Sequence, residues 1–130
     1  MPPALAGFVE ARVGLRFIEY YEALHHNLAL VPSLANPAYY DRKFTSTVIT
    51  SLITGTPVIA EHRLLRAYRL LDTSVVFLQR RHESQMATMV RLLSMSPEDV
   101  AARRAALVAL RDRLNARARA QVARWAVAAW

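Results

Sequence analysis

Three prolines each stand directly behind a helix-capping residue: Asn36-Pro37, Thr56-Pro57 and Ser96-Pro97. Proline fixes φ and lacks an N–H, so it suits the first turn of a helix and breaks the interior of one. Asparagine, threonine and serine are the preferred caps in front of it. Together with Pro32, which has to end whatever helix precedes it, these dipeptides cut the chain into four segments. The expectation is an all-α fold, a small bundle of about four helices with the third and fourth long, in a single domain spanning residues 1–130.

The apolar pattern fills those segments. Leu5, Phe8, Val9, Val13, Phe17, Tyr20, Tyr21, Leu24 and Leu28 keep three- and four-residue spacing and predict a first helix over 4–30. Gly14 inside it costs about 1 kcal/mol relative to alanine, which points to close packing there. A second helix follows Pro37 to Thr54, through the β-branched run Thr45–Thr54, and Gly55 closes it. A third runs from Pro57 to Leu93. The fourth starts at Ser96, with Glu98 and Asp99 favouring the positive end of its dipole, and nothing stops it before Trp130.

Length and composition bound the function. A chain of 130 residues builds one modest core, and 54% apolar residues is high for a soluble domain of that size, so a partner that covers apolar surface fits. Cysteine is absent, which removes thiolate metal sites, iron–sulfur ligation, c-type haem attachment and thiol nucleophiles together. His25 and His26 are adjacent and point about 100° apart on a helix, so they cannot share an ion. His62 and His82, twenty residues apart on one predicted helix, would lie about 30 Å from each other. No Gly-x-Ser-x-Gly, P-loop or dinucleotide fingerprint occurs, and Glu19 and Glu22 read as a solvated helix edge. The expectation is a chain without catalytic, cofactor-binding or metal-binding residues. The start of the sequence has no basic residues ahead of its apolar run, unlike a secretory signal, and Glu10 with scarce serine runs against a typical mitochondrial presequence. The longest charge-free runs, Ala23–Tyr40 and Phe44–Ala60, are too polar to cross a membrane.

Charge is concentrated. The chain carries a net +7, of which residues 101–130, with seven arginines and one aspartate, supply +6. In that segment Leu107, Leu110, Leu114, Ala118, Val122, Trp125 and Ala129 form one narrow seam, and the arginines lie mostly off it. They read either as a solvated face or as a face for phosphate or a partner. A second basic stripe lies in the predicted third helix, where His62, Arg66, Arg69, Thr73 and Arg80 fall within roughly 60° of each other. Leucines and other apolar residues cover most of the remaining circumference. Such a helix is either central to a bundle with one solvated stripe or buried against other chains.

The order of these features resembles that of the small helical matrix-side subunit of the mitochondrial cytochrome bc1 complex, the subunit 7 or quinone-binding-protein family. Gly14-Leu15-Arg16, the Tyr20-Tyr21 pair and Leu28-Ala29-Leu30 stand in the family's order. Pro57 is followed by Arg63, Arg66, Arg69, Asp72 and Ser74, with Arg66-Ala67-Tyr68-Arg69 the most suggestive run. The match covers residues 14–78. The segment between Leu30 and Pro57 is longer than in the family, and an Arg/Ala helix replaces its acidic, tyrosine-bearing end. The resemblance implies a non-catalytic accessory subunit of ubiquinol–cytochrome c reductase (respiratory complex III), supporting assembly and stability and binding no cofactor. It would lie peripherally on the matrix side of the mitochondrial inner membrane, against a cytochrome b-type subunit and a core subunit. Its partner interface would be Arg63, Arg66, Arg69, Asp72, Tyr20 and Tyr21. Two other expectations stay open: a basic helical nucleic-acid-binding protein, and a packing subunit of another large assembly.

Overall fold

The computed structural model describes residues 10–34 and 36–128. In chain order the elements are helix α1 (Phe17–His25), a 3-10 helix (Pro37–Tyr40), α2 (Ser46–Thr54), strand β1 (Ile59–Ala60), α3 (His62–Ala67), strand β2 (Phe77–Leu78), α4 (Gln85–Leu92) and α5 (Pro97–Ala128). The chain is mostly helical, as the proline-and-cap pattern predicts, but its helices are cut differently and two short strands lie between them.

The first helix is far shorter than expected. Residues 10–16 are not helical, and the predicted positions 4–9 lie outside the described residues. Gly14 does not mark close packing. It sits at φ +69°, a left-handed conformation, and a Cβ added there would meet nothing within 4 Å. Arg16 begins α1 with its backbone N–H donating to the Glu19 carboxylate at 3.0 Å and its guanidinium donating to the same group at 2.8 Å. The helix ends at His25, and Leu30 enters an isolated parallel bridge with Val58.

Asn36 caps as expected, its side chain accepting the Ala38 N–H at 2.9 Å. The helix it starts lasts one turn. A second cap, Thr45, opens α2 by accepting the Thr47 N–H at 3.3 Å. Gly55 closes α2 at φ +67°, with its N–H donating to the Ser51 carbonyl. A Cβ at Gly55 would lie 3.1 Å from Val108 Cγ2, so glycine is required there both for conformation and for the approach of α5.

The long third helix does not form. Thr56 is buried, and its hydroxyl donates to the Leu24 carbonyl at 2.9 Å instead of capping a helix. The Pro57 carbonyl accepts the Leu30 N–H at 2.9 Å. Val58, Ile59 and Ala60 are all buried, which suits a β-branched run inside a core. β1 pairs in parallel with β2, with Ile59 opposite Phe77 and Ala60 opposite Leu78. A parallel pair needs a crossover, and α3 with the turn after it supplies one. α3 ends where the Tyr68 backbone leaves the helical region at φ −109° and ψ 72°, and the Tyr68 hydroxyl donates to the Tyr39 carbonyl at 2.7 Å and accepts the Thr45 N–H at 3.0 Å.

The core gathers around this crossover. Val48, Val58, Leu64, Tyr68, Leu71, Val76, Leu107 and Leu110 form one buried cluster, and Ile59, Phe77 and Leu92 form another. α5 begins as predicted, with the Ser96 hydroxyl accepting the Asp99 N–H at 3.1 Å. Its first half closes the core through Leu107 and Leu110. Two of its arginines fasten it. Arg104 donates to the carbonyls of His25 and Asn27 at the end of α1, and burial lowers its pKa. Arg103 donates to the carbonyls of Thr73 and Val76 and lies 5.4 Å from the centre of the Phe77 ring. From residue 115 to 127 every residue of α5 is exposed.

Candidate functional site

Both strands run in the same direction, so their carboxyl ends open on the same side of the fold. β1 leads into Glu61, His62 and Arg63, and β2 into Gln79, Arg80, Arg81 and His82. These residues, with Arg66 from α3 and Glu83, line a cleft of about 590 Å³.

Four arginines and two histidines face two carboxylates in this cleft, and both carboxylates are already engaged. Glu61 accepts a hydrogen bond from the Tyr40 hydroxyl at 2.6 Å. Burial, then the neighbouring Glu61, pushes the Tyr40 phenol up to about 12, so it stays a donor. The Arg63 guanidinium lies 4.0 Å from the centre of the Tyr40 ring, a cation–π contact that orients it. Glu83 takes two bonds from Arg91, at 2.9 and 3.0 Å, and one from the Arg80 backbone N–H at 2.9 Å. These bonds pin the turn that carries Arg80, Arg81 and His82. His82 completes it at φ +66°, a conformation histidine tolerates better than most residues. No side-chain hydrogen bond joins Arg66, Arg80 or Arg81 to another described residue, and all three are exposed. The cleft is therefore a rigid frame with unspent cationic charge.

The expected partner-interface residues do not come together as one stripe. Arg63 and Arg66 share the cleft. α3 ends at Ala67, so Arg69 leaves the helix and lines a separate cleft with Tyr39, Lys43, Phe44 and Leu70. Asp72 shapes the next turn, accepting the Ser74 N–H at 2.7 Å, and its pKa is lowered by the Ser74 side chain first and the Ser74 N–H second. Tyr20 and Tyr21 stand on α1 with their rings 5.2 Å apart, edge to face, away from the arginines' cleft. His62 and His82, placed about 30 Å apart by a continuous helix, instead line the same cleft because the chain folds back between them. Among the described residues, no three His, Asp or Glu side chains gather in a group that could hold a metal ion, and no helix is long and apolar enough to cross a membrane.

Arg81, Glu61, Glu83 and Tyr40 did not stand out in the sequence as site residues. The signal for the turn was present: the apolar run Val75–Leu78 stops abruptly at Gln79-Arg80-Arg81-His82-Glu83, the mark of a short buried strand that ends in a charged turn. Comparison with protein-family models, curated proteins and solved structures finds no match to this chain.

Proposed function

We propose that the chain is a non-catalytic packing subunit of a larger protein assembly. The observation that carries this is apolar surface left uncovered on three helices at once. Phe17 and Ile18 on α1, Met86 and Val90 on α4 with Leu93 beside them, and Val122, Trp125 and Val127 on α5 are all exposed. Exposed apolar patches of this kind mark protein–protein contacts. The projecting half of α5 adds reach, since a helix of 32 residues spans about 48 Å and only its first half is used by the core.

The particular assembly we propose is the respiratory complex III of mitochondria, with this chain on the matrix side against a cytochrome b-type and a core subunit. The support is the order of motifs between Gly14 and Ser74. Only Arg63 and Arg66 of that arginine series are helical here, so the interface it implies is limited to α3 and α1. The test is purification of the native protein: it should travel in a large membrane complex with b-type haem. Recovery in a complex without haem keeps the packing reading and removes the respiratory one. An isolated chain that stays a strictly monodisperse monomer even at high concentration removes both.

A second reading has its own observation. Arg113, Arg117, Arg119 and Arg124 are exposed on α5, and clustered arginines bind phosphate backbones without any fold motif. Selective nucleic-acid binding that survives physiological salt would replace the packing reading with this one.

A further inference from the structure

We propose that the cleft at the carboxyl ends of β1 and β2 binds a small ligand through a di- or triphosphate group. The inference is independent of the packing function and rests on three observations.

The first is charge. Glu83 is neutralised by Arg91, which lies behind the turn and does not line the cleft. That leaves Glu61 as the only unneutralised carboxylate opposite Arg63, Arg66, Arg80 and Arg81. A guanidinium forks onto two phosphate oxygens at once, and several of them suit a ligand with several adjacent negative charges. A single carboxylate ligand would leave most of that charge unanswered.

The second is preorganisation. The cations stand on a built frame. Arg63 is held on the Tyr40 ring, Tyr40 is held by Glu61, and the turn through Arg81 and His82 is closed by two bonds between the Arg80 backbone and Glu83. With the backbone frame and Arg63 already in place, only the side chains of Arg66, Arg80 and Arg81 are left to order when the ligand arrives, which lowers the entropy lost.

The third is shape and place. The cations collect at the ends of two parallel strands, in a cleft whose volume falls in the range of small-molecule sites. They do not extend as a track along the surface, as a groove for a nucleic-acid backbone would. His62 and His82 add two ring N–H donors to the lining.

The experiment is isothermal titration of the full chain with inorganic tripolyphosphate, and separately with a nucleoside triphosphate, at constant ionic strength. Saturable binding at one site is expected for both. Equal affinities assign the phosphate chain as the whole ligand, and tighter nucleotide binding adds a base contact; each supports the site. The Arg66→Ala, Arg80→Ala double variant should weaken binding by at least ~10-fold, because each lost bond is charge-assisted. Arg117→Ala, Arg119→Ala removes the same charge from the projecting part of α5 and should change affinity less than about twofold, as distant surface charge is screened. Circular dichroism checks that both variants remain folded, and Arg81→Glu, a reversal on an exposed side chain, provides an independent loss. Equal weakening by the two double variants, or no saturation at millimolar tripolyphosphate, overturns the proposal.

Discussion

Arg91 grips Glu83 with two parallel hydrogen bonds and extends one of the same nitrogens to the Leu78 carbonyl at 2.8 Å. The pair is mostly sheltered, with side-chain exposures of 27% and 14%. One contact thereby joins α4, the charged turn and the end of β2. The Thr88 hydroxyl adds a third side-chain donor to the carboxylate at 3.0 Å.

This arrangement makes stability sensitive to acid. Glu83 is brought down to about 2, first by the Arg91 side chain and next by the Arg80 N–H. Its folded pKa lies below its unfolded one. The stabilisation is therefore fully present above the unfolded value near 4.5 and is lost as pH falls toward 2. Glu83→Gln should melt lower than the parent at pH 7, and the gap should close as pH drops through this window. Melting curves that stay equally far apart from pH 7 to pH 2 would show that the pair does not govern acid stability.

Tyr68 is 4% exposed, and its hydroxyl serves both the Thr45 N–H and the Tyr39 carbonyl. Tyr68→Phe keeps the ring and its edge-to-face contact with Phe44. It leaves a buried N–H at the start of α2 without its acceptor, which costs about 1–3 kcal/mol. Urea unfolding should show a lower midpoint with an unchanged slope. An unchanged midpoint would mean that water serves this N–H equally well.

Gly55→Ala and Gly14→Ala form a matched pair. Both glycines are left-handed, at φ +67° and +69°, so alanine strains both by about 1–2 kcal/mol. Only at Gly55 does the new methyl meet Val108 at 3.1 Å. Gly55→Ala should therefore destabilise more, and Val108→Ala should recover part of the difference. A Gly14 variant as damaging as the Gly55 one would refute the role given to the α5 contact.

The two halves of α5 should respond oppositely to mutation. Leu107 has 0% exposure, and Leu107→Ala should cost about 2–5 kcal/mol. Residues 115–127 are all exposed, so ending the chain after Leu114 should hardly move the melting temperature. A large drop on truncation would mean that the distal half contributes to the fold through contacts within this chain.

Local signals were legible in the sequence wherever a residue acts on its near neighbours. The caps Asn36 and Ser96, the closing Gly55 and the long α5 follow from propensity and spacing. What could not be read there was the fate of Thr56-Pro57. Its local signal is as good as the other two, but tertiary packing overrides it: the Thr56 hydroxyl is taken by Leu24, thirty-two residues away. Leu30, Val58 and Phe77 meet across similar gaps. The cleft was hidden for the same reason. Reading 57–93 as one helix separates His62 from His82 and strings the arginines along a stripe, whereas a parallel crossover brings the ends of two short strands to one side.

The outer edge of β2 carries one more consequence. β1 takes the N–H groups of Phe77 and Gln79, so the carbonyls of Val76 and Leu78 face the other way. A strand edge left open in this way would be a template on which another chain can add a strand and begin an aggregate. Here the acceptor positions are occupied by guanidinium groups, Arg103 on Val76 and Arg91 on Leu78. The two arginines that fasten α5 and the charged turn also plug the edge. Losing them opens a route to self-templated growth, so that damage at these positions should appear as fibrils or turbidity before it appears as lost helix.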